Sequence, residues 1–159
     1  MTLQLREPVS EIQFLQHNPD SETTLPLYAG KLVKMVGNKL VDVCTAVTDV
    51  PIGWLMQKVK AEYTDLPTYA RFRSDQGSSD AFLGDPVGVA AGNGAVYETD
   101  QYTDYGSNGI TYGAAMYLHT DGTITDNDGG TATLCAYTMS SLTTAQAAAG
   151  ALLLIKAVL

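Results

Sequence analysis

YAGKLVKMVGNKLVDVCTAV, residues 28–47, reads as two apolar β segments, 28–36 and 39–47, joined at Gly37-Asn38. Glycine and asparagine both tolerate the positive φ that a two-residue turn requires, so the pair predicts a β-hairpin. The same grammar of short β segments cut by glycine continues downstream. Val50-Pro51-Ile52-Gly53-Trp54-Leu55-Met56 comes next, then a strand near 58–63, an alternating strand at 69–73 and a loop at 74–80. Strands at 86–91 and 95–98 are joined through Gly92-Asn93-Gly94, and an acidic, tyrosine-bearing loop fills 99–109. Strands at 114–119 and 123–125 flank Thr120-Asp121-Gly122, a second hairpin signal, and a turn at 126–130 leads into a strand at 131–138. The one helical candidate is capped by Ser140 or Ser141 and runs through Gln146 and Ala149 to a stop at Gly150. Residues 151–159 read as a final buried strand. Short strands at this spacing predict a mainly β fold, a small antiparallel β-barrel or sandwich with at most one short helix near the C-terminus. Pro51-Ile52-Gly53 and Pro86-Val87-Gly88 echo each other, with glycine expected where backbones approach closely.

Upstream, residues 1–27 hold three of the six prolines and show neither a helical period nor strict alternation. Val9, Ile12, Phe14 and Leu15 are too many apolar residues for a solvated tail and too few for a separate core. The segment is read as an extended N-terminal arm lying across its own domain, a neighbouring subunit or another protein. Residues 28–159 are read as a single β-barrel or sandwich domain. At 159 residues the chain can bury about two-thirds of its unfolded surface, so no metal or disulfide staple is required.

The net charge of −8 is unevenly placed. Residues 1–73 balance, whereas 74–159 carry nine acids against Lys156 alone. Such a chain repels polyanions, which argues against nucleic acid as a partner. Only 16% of residues are charged, against about 25% in soluble domains. A surface with so few charges is one that a partner can cover. The start, MTLQLREPVSE, does not read as a signal peptide. The longest uncharged apolar run, 147–155, reaches about half a bilayer span, so no membrane segment is expected.

Chemistry-bearing residues are sparse. His17 lies in the arm and His119 beside a turn, with neither a Gly-x-Ser-x-Gly motif nor a reactive-cysteine signature, so the chain reads as a non-enzyme. Cys44 and Cys135 sit in apolar strand-like segments and read as buried free thiols. No cofactor motif is present. Asp126 and Asp128 offer oxygen ligands in a flexible loop and make a weak calcium candidate, against the plainer reading of an acidic turn. Trp54 is read as filling the barrel core, and Tyr102 and Tyr105 as interface residues, because their loop is too polar to be buried alone. The neutral half, with Lys31, Lys34, Lys39, Lys58, Lys60, Arg71 and Arg73, is expected to include the docking surface. The loops at Asp100, Asp104, Asp121, Asp126 and Asp128 are expected to face solvent.

The order of these segments resembles a known family. An arm precedes Ala29-Gly30-Lys31-Leu32-Val33; a hairpin, Ile52-Gly53-Trp54-Leu55 and Val87-Gly88-Val89 follow. Gly113-x-x-Met116-Tyr117-Leu118 then leads to Asp121-Gly122, and the chain closes on an aliphatic strand. This is similar to the small capsid decoration, or cement, proteins of tailed bacteriophages, of the β-barrel or β-tulip type. Lys31 and Trp54 depart from the acidic and aliphatic residues more usual there. The resemblance implies a structural virion protein, made in the host cytoplasm and located on the capsid surface. It would bind the outside of the shell as a homotrimer, with the major capsid protein and its own copies as partners. The contacts expected to serve it are Ile12, Phe14, Leu15, Lys58, Lys60, Tyr102 and Tyr105. The alternative is a receptor- or carbohydrate-binding β module on a virion or cell surface, which an exposed Trp54 and the tyrosine-bearing loops would favour.

Overall fold

The structure, a computed structural model, describes residues 3–5, 11–18, 27–60, 81–82 and 84–159. The hairpin of residues 28–47 is present as β3 (Leu32–Gly37) and β4 (Leu40–Val43), with its turn one residue later than expected. The register slips between Met35 and Gly37, so Gly37 pairs with Leu40 and the turn falls on Asn38 and Lys39. Lys39 takes the left-handed conformation, φ +60°. The extra residue in β3 is a bulge, which spends Gly37 inside the strand rather than in the turn. The second strand also ends early, at Val43 rather than residue 47. There the Thr45 and Ala46 amides turn to donate to Asp49 Oδ2 at 2.9 and 3.0 Å.

Three further strands close a barrel around this hairpin: β2 (Glu11–His17), β5 (Gly53–Leu55) and β8 (Pro86–Ala91), in the order β2-β4-β3-β5-β8. Its pairs are antiparallel except β2 with β4, which is parallel. Pro86 opens β8, where a missing N–H is tolerated. A second layer is the seven-stranded sheet β1-β9-β14-β13-β11-β12-β10. Its members are β1 (Leu3–Leu5), β9 (Val96–Thr99), β10 (Tyr102–Thr103), β11 (Ala115–Leu118), β12 (Ile124–Thr125), β13 (Leu134–Thr138) and β14 (Leu153–Ala157). A small pair, β6 (Val59–Lys60) with β7 (Ala81–Phe82), is bridged to Leu27 through Val59, and Leu27, Val59 and Ala81 pack into the same core cluster as the barrel valines. The strand expected at 69–73 and the loop at 74–80 lie outside the described residues.

Of the segment read as an arm, the described strands lie on the chain's own two sheets. β1 pairs with β9, and β2 is a stave of the barrel.

Neighbouring residues on the barrel strands enter two different cores. Val33, Val43, Leu55 and Val89 fill the barrel interior. Their chain neighbours Leu32, Cys44, Trp54 and Ala90 point outward and pack with Tyr97, Met116, Leu118, Ile124, Leu153 and Ile155 of the seven-stranded sheet. Strands buried on both faces read as near-continuous apolar runs. Trp54 is therefore core as expected, but between the layers rather than inside the barrel. Its ring centroid is 5.2 Å from that of Tyr97.

One short helix, α1 (Thr144–Ala148), lies near the C-terminus. Thr143 caps it instead of Ser140 or Ser141, because Gln146 stands three residues on and completes a capping box. The two serines serve other strands: Ser140 Oγ accepts the Leu154 amide and Ser141 Oγ the Tyr112 amide. Gly150, at φ +68°, ends the helix as expected.

Candidate functional site

Pleating sends alternate side chains of a strand to opposite faces. On β14, Leu153, Ile155 and Ala157 are buried, so Leu152, Leu154 and Lys156 belong to the outer face of the sheet. Residue pairing carries that face across the neighbours. Tyr137 opposes Lys156, Ala115 opposes Tyr137, Glu98 opposes Leu154 and Val96 opposes Lys156. The Met139 amide donates to the Leu154 carbonyl at 2.7 Å, which sets Met139 beside Leu154. Bonds from Tyr112 N to Ser141 Oγ and from Gly113 N to Thr138 O hold Tyr112 at the same end. Tyr112 is 70%, Tyr137 43%, Leu152 41% and Met139 37% exposed. On the outward positions of β9, β13 and β14, Glu98 and Lys156 are the charged residues.

The sequence did not single out this face. Residues 151–159 were expected to be buried throughout, yet the strand covers only one of its two apolar faces. A strand apolar on both sides is the signal that pointed here, since it needs a cover on each.

The residues expected to meet a partner do not converge. Ile12 and Phe14 lie in β2, paired with Ala90 and Gly88, and their side chains lie outside the described residues. Leu15 is half-buried against the barrel core. Lys58 and Lys60 belong to the small β6–β7 side of the barrel, with the Lys58 ammonium 5.1 Å from the centre of the Tyr28 ring. Tyr102 packs against the interlayer core and donates its hydroxyl to the Ala151 carbonyl at 2.7 Å. Tyr105 is exposed, and its amide donates to Asp126 Oδ1 at 2.8 Å.

One charge pair crosses between the two halves, and another closes within the first. Lys31 Nζ donates to both the carbonyl and Oδ2 of Asp121, at 2.8 and 3.0 Å, and Lys34 Nζ to Asp49 Oδ2 at 2.8 Å. Lys31 and Lys34 are therefore neutralised within the chain, and Asp121 is not a free acidic loop residue. Arg71 and Arg73 lie outside the described residues. Burial opposes ionisation of Asp121, but bonds from Thr123, His119 and Lys31 outweigh it and hold the carboxyl well below the usual carboxylate range. The clasp fastens the β11–β12 turn onto β3, where Leu32 N donates to Gly122 O at 2.7 Å. A Cβ on Gly122, at φ +78°, would collide with Val43 Cγ2. Asp121→Asn is expected to lower stability by about 1 kcal/mol at neutral pH, the worth of one charge-assisted bond at a half-exposed site. A depressed folded-state pKa stabilises above the unfolded value and is lost on acidification. The gap between wild type and variant in urea melts should therefore shrink as pH falls below 3.8, the ordinary aspartate value.

The two aspartates of the calcium candidate have structural partners. Asp126 accepts the Tyr105 amide and Asp128 Oδ1 the Gly130 amide at 3.0 Å, as loop-shaping aspartates do. Among the described residues, no three metal-ligating side chains gather. Cys44 and Cys135 are free and buried, and burial pushes both thiols up to about 12, so neither is a thiolate at neutral pH. Compared with known proteins, the chain matches no family model and no curated protein.

Proposed function

We propose that the chain is a structural virion protein that binds the outer surface of a tailed-phage capsid and clamps neighbouring major capsid subunits, acting as a homotrimer. The observation that carries this reading is the outer face of the seven-stranded sheet. A solvated sheet face ordinarily turns polar side chains outward. Here the outward row holds Tyr137, Met139, Leu152 and Leu154, with Tyr112 at its end. Contiguous exposed apolar surface on a small domain marks a protein contact. The resemblance of the segment order to that of decoration proteins supports the same reading. Many copies of a modest contact hold a shell by avidity rather than by affinity per copy.

The carbohydrate-binding alternative leaned on an exposed indole together with the tyrosine-bearing loops, of which Tyr105 and Tyr112 are exposed. With Trp54 fully buried, that reading loses its principal stacking platform. Size-exclusion chromatography with light scattering separates the two. A homotrimer is expected; a strict monomer that binds glycans at roughly millimolar affinity or better would overturn the proposal.

A further inference from the structure

The five-stranded barrel closes at a thin seam. β2 and β4 meet at Gln16–Leu40 and His17–Val41, whereas β2 runs along β8 from Glu11 to Gln16. Across the seam the Gln16 amide donates to the Lys39 carbonyl at 2.9 Å and the Asn18 amide to the Val41 carbonyl at 2.8 Å. Asn18 Nδ2 adds a bond to Asp42 Oδ2 at 3.1 Å.

His17 sits at this seam with no solvent exposure. Its Nδ1 lies 3.2 Å from the Asn18 carbonyl oxygen, which can only accept, so the neutral ring carries its proton on Nδ1. Nε2 is then a buried acceptor with no hydrogen-bond partner among the described residues. A proton added to Nε2 would find Asp42 Oδ1 4.0 Å away, beyond hydrogen-bond reach. That carboxylate is already engaged, Oδ1 by the Val43 amide at 2.8 Å and Oδ2 by Asn18. Among the described residues, the charged side chains carried by the segments packed on His17 are Asp42 on β4, Lys39 in the hairpin turn, and Asp85, whose carbonyl accepts the His17 amide at 3.0 Å.

We propose that the seam is a pH-sensitive latch: protonation of His17 at Nε2 parts β2 from β4 and opens the barrel along its N-terminal strand. Among the described residues the closed seam offers the new N–H no acceptor within reach, whereas an opened seam gives it water. Burial accordingly holds the His17 imidazole below its ordinary value of 6.5, against the opposing pull of Asp42 and the Asn18 carbonyl. For a histidine depressed in the closed state, the open state takes up the proton first. The closed seam therefore loses stability as pH falls below 6.5 and recovers it on return to neutrality. The latch concerns the barrel alone and does not depend on the capsid reading.

Amide hydrogen exchange tests it, with protection corrected at each pH for the intrinsic rate. The Gln16 and Asn18 amides should lose protection, by up to about tenfold, between about pH 7.5 and about pH 5.5. The Met139 and Ala157 amides, bonded within the seven-stranded sheet, should not. In H17Q, which stays neutral throughout, the seam amides should show no such fall. A seam whose protection does not change with pH, or the same fall in H17Q, would overturn the latch. Should H17Q not fold, the wild-type ring is followed by NMR beside the second histidine, His119. A His17 midpoint below 6.5 supports the latch, and one at or above 6.5 overturns it.

Discussion

Trp54→Ala is expected to lower stability by about 3–5 kcal/mol, the cost of emptying a fully buried large aromatic site. The indole has no solvent exposure and lies where the barrel and the seven-stranded sheet share one core, against Tyr97 and among Leu32, Ala90 and Met116. Domains of this size carry about 5–15 kcal/mol in all, so the variant should sit near its unfolding threshold. Trp54→Phe should cost far less, about 1–2 kcal/mol. The Trp54 Nε1 proton has no bonding partner among the described residues, so its removal relieves a buried polar group while much of the ring volume remains. Denaturant midpoints of the two variants check this. A loss below about 1 kcal/mol for Trp54→Ala would show that the layers do not depend on this residue.

Gly53→Ala is the second large effect, about 2–3 kcal/mol by overpacking. A Cβ at residue 53 would fall on the Ala90 carbonyl oxygen, with Val89 Cγ1 at 2.9 Å and the Ala90 carbonyl carbon at 3.0 Å. The obstacle is the backbone of β8, which no rotamer change removes, so the β5–β8 pairing must spread. Gly88→Ala is the control. Among the described residues its Cβ would lie nearest the Met56 side chain, at an ordinary 3.5 Å, and should cost less than about 1 kcal/mol. Equal losses in thermal melts of the two variants would contradict the close approach of β5 to β8.

The same two glycines mark how far the sequence could be read. Pro51-Ile52-Gly53 and Pro86-Val87-Gly88 look alike as text, and both sit at strand starts, as the pattern predicts. Only at Gly53 does a neighbouring backbone press in, because that depends on which strand lies alongside. Likewise the hairpin of residues 28–47 was legible from its turn residues, but the bulge that moved the turn onto Lys39 was not. A short helix near Gln146 was legible, while its cap was decided by the Thr143–Gln146 pair and by the strands that claimed Ser140 and Ser141. Burial of Trp54 was legible, but not its side of the barrel, since the runs around residues 32, 43, 54 and 89 are apolar on both faces and alternation gives no direction. The candidate face was obscured for the same reason. Leu152 and Leu154 read as core until the exposure of Leu152 and the pairing of Leu154 with Glu98 put them on the outer side.

Docking through that face is most directly tested by imaging particles purified from infected cells. Wild-type chain is compared with Tyr137→Glu combined with Leu152→Glu, and with Lys58→Glu combined with Lys60→Glu, each first shown to fold. The outer face predicts regular density on the outside of the shell for wild type, lost in the first double variant and weakened at most slightly in the second. Full occupancy by the Tyr137→Glu, Leu152→Glu chain, or no density from wild type, would contradict it.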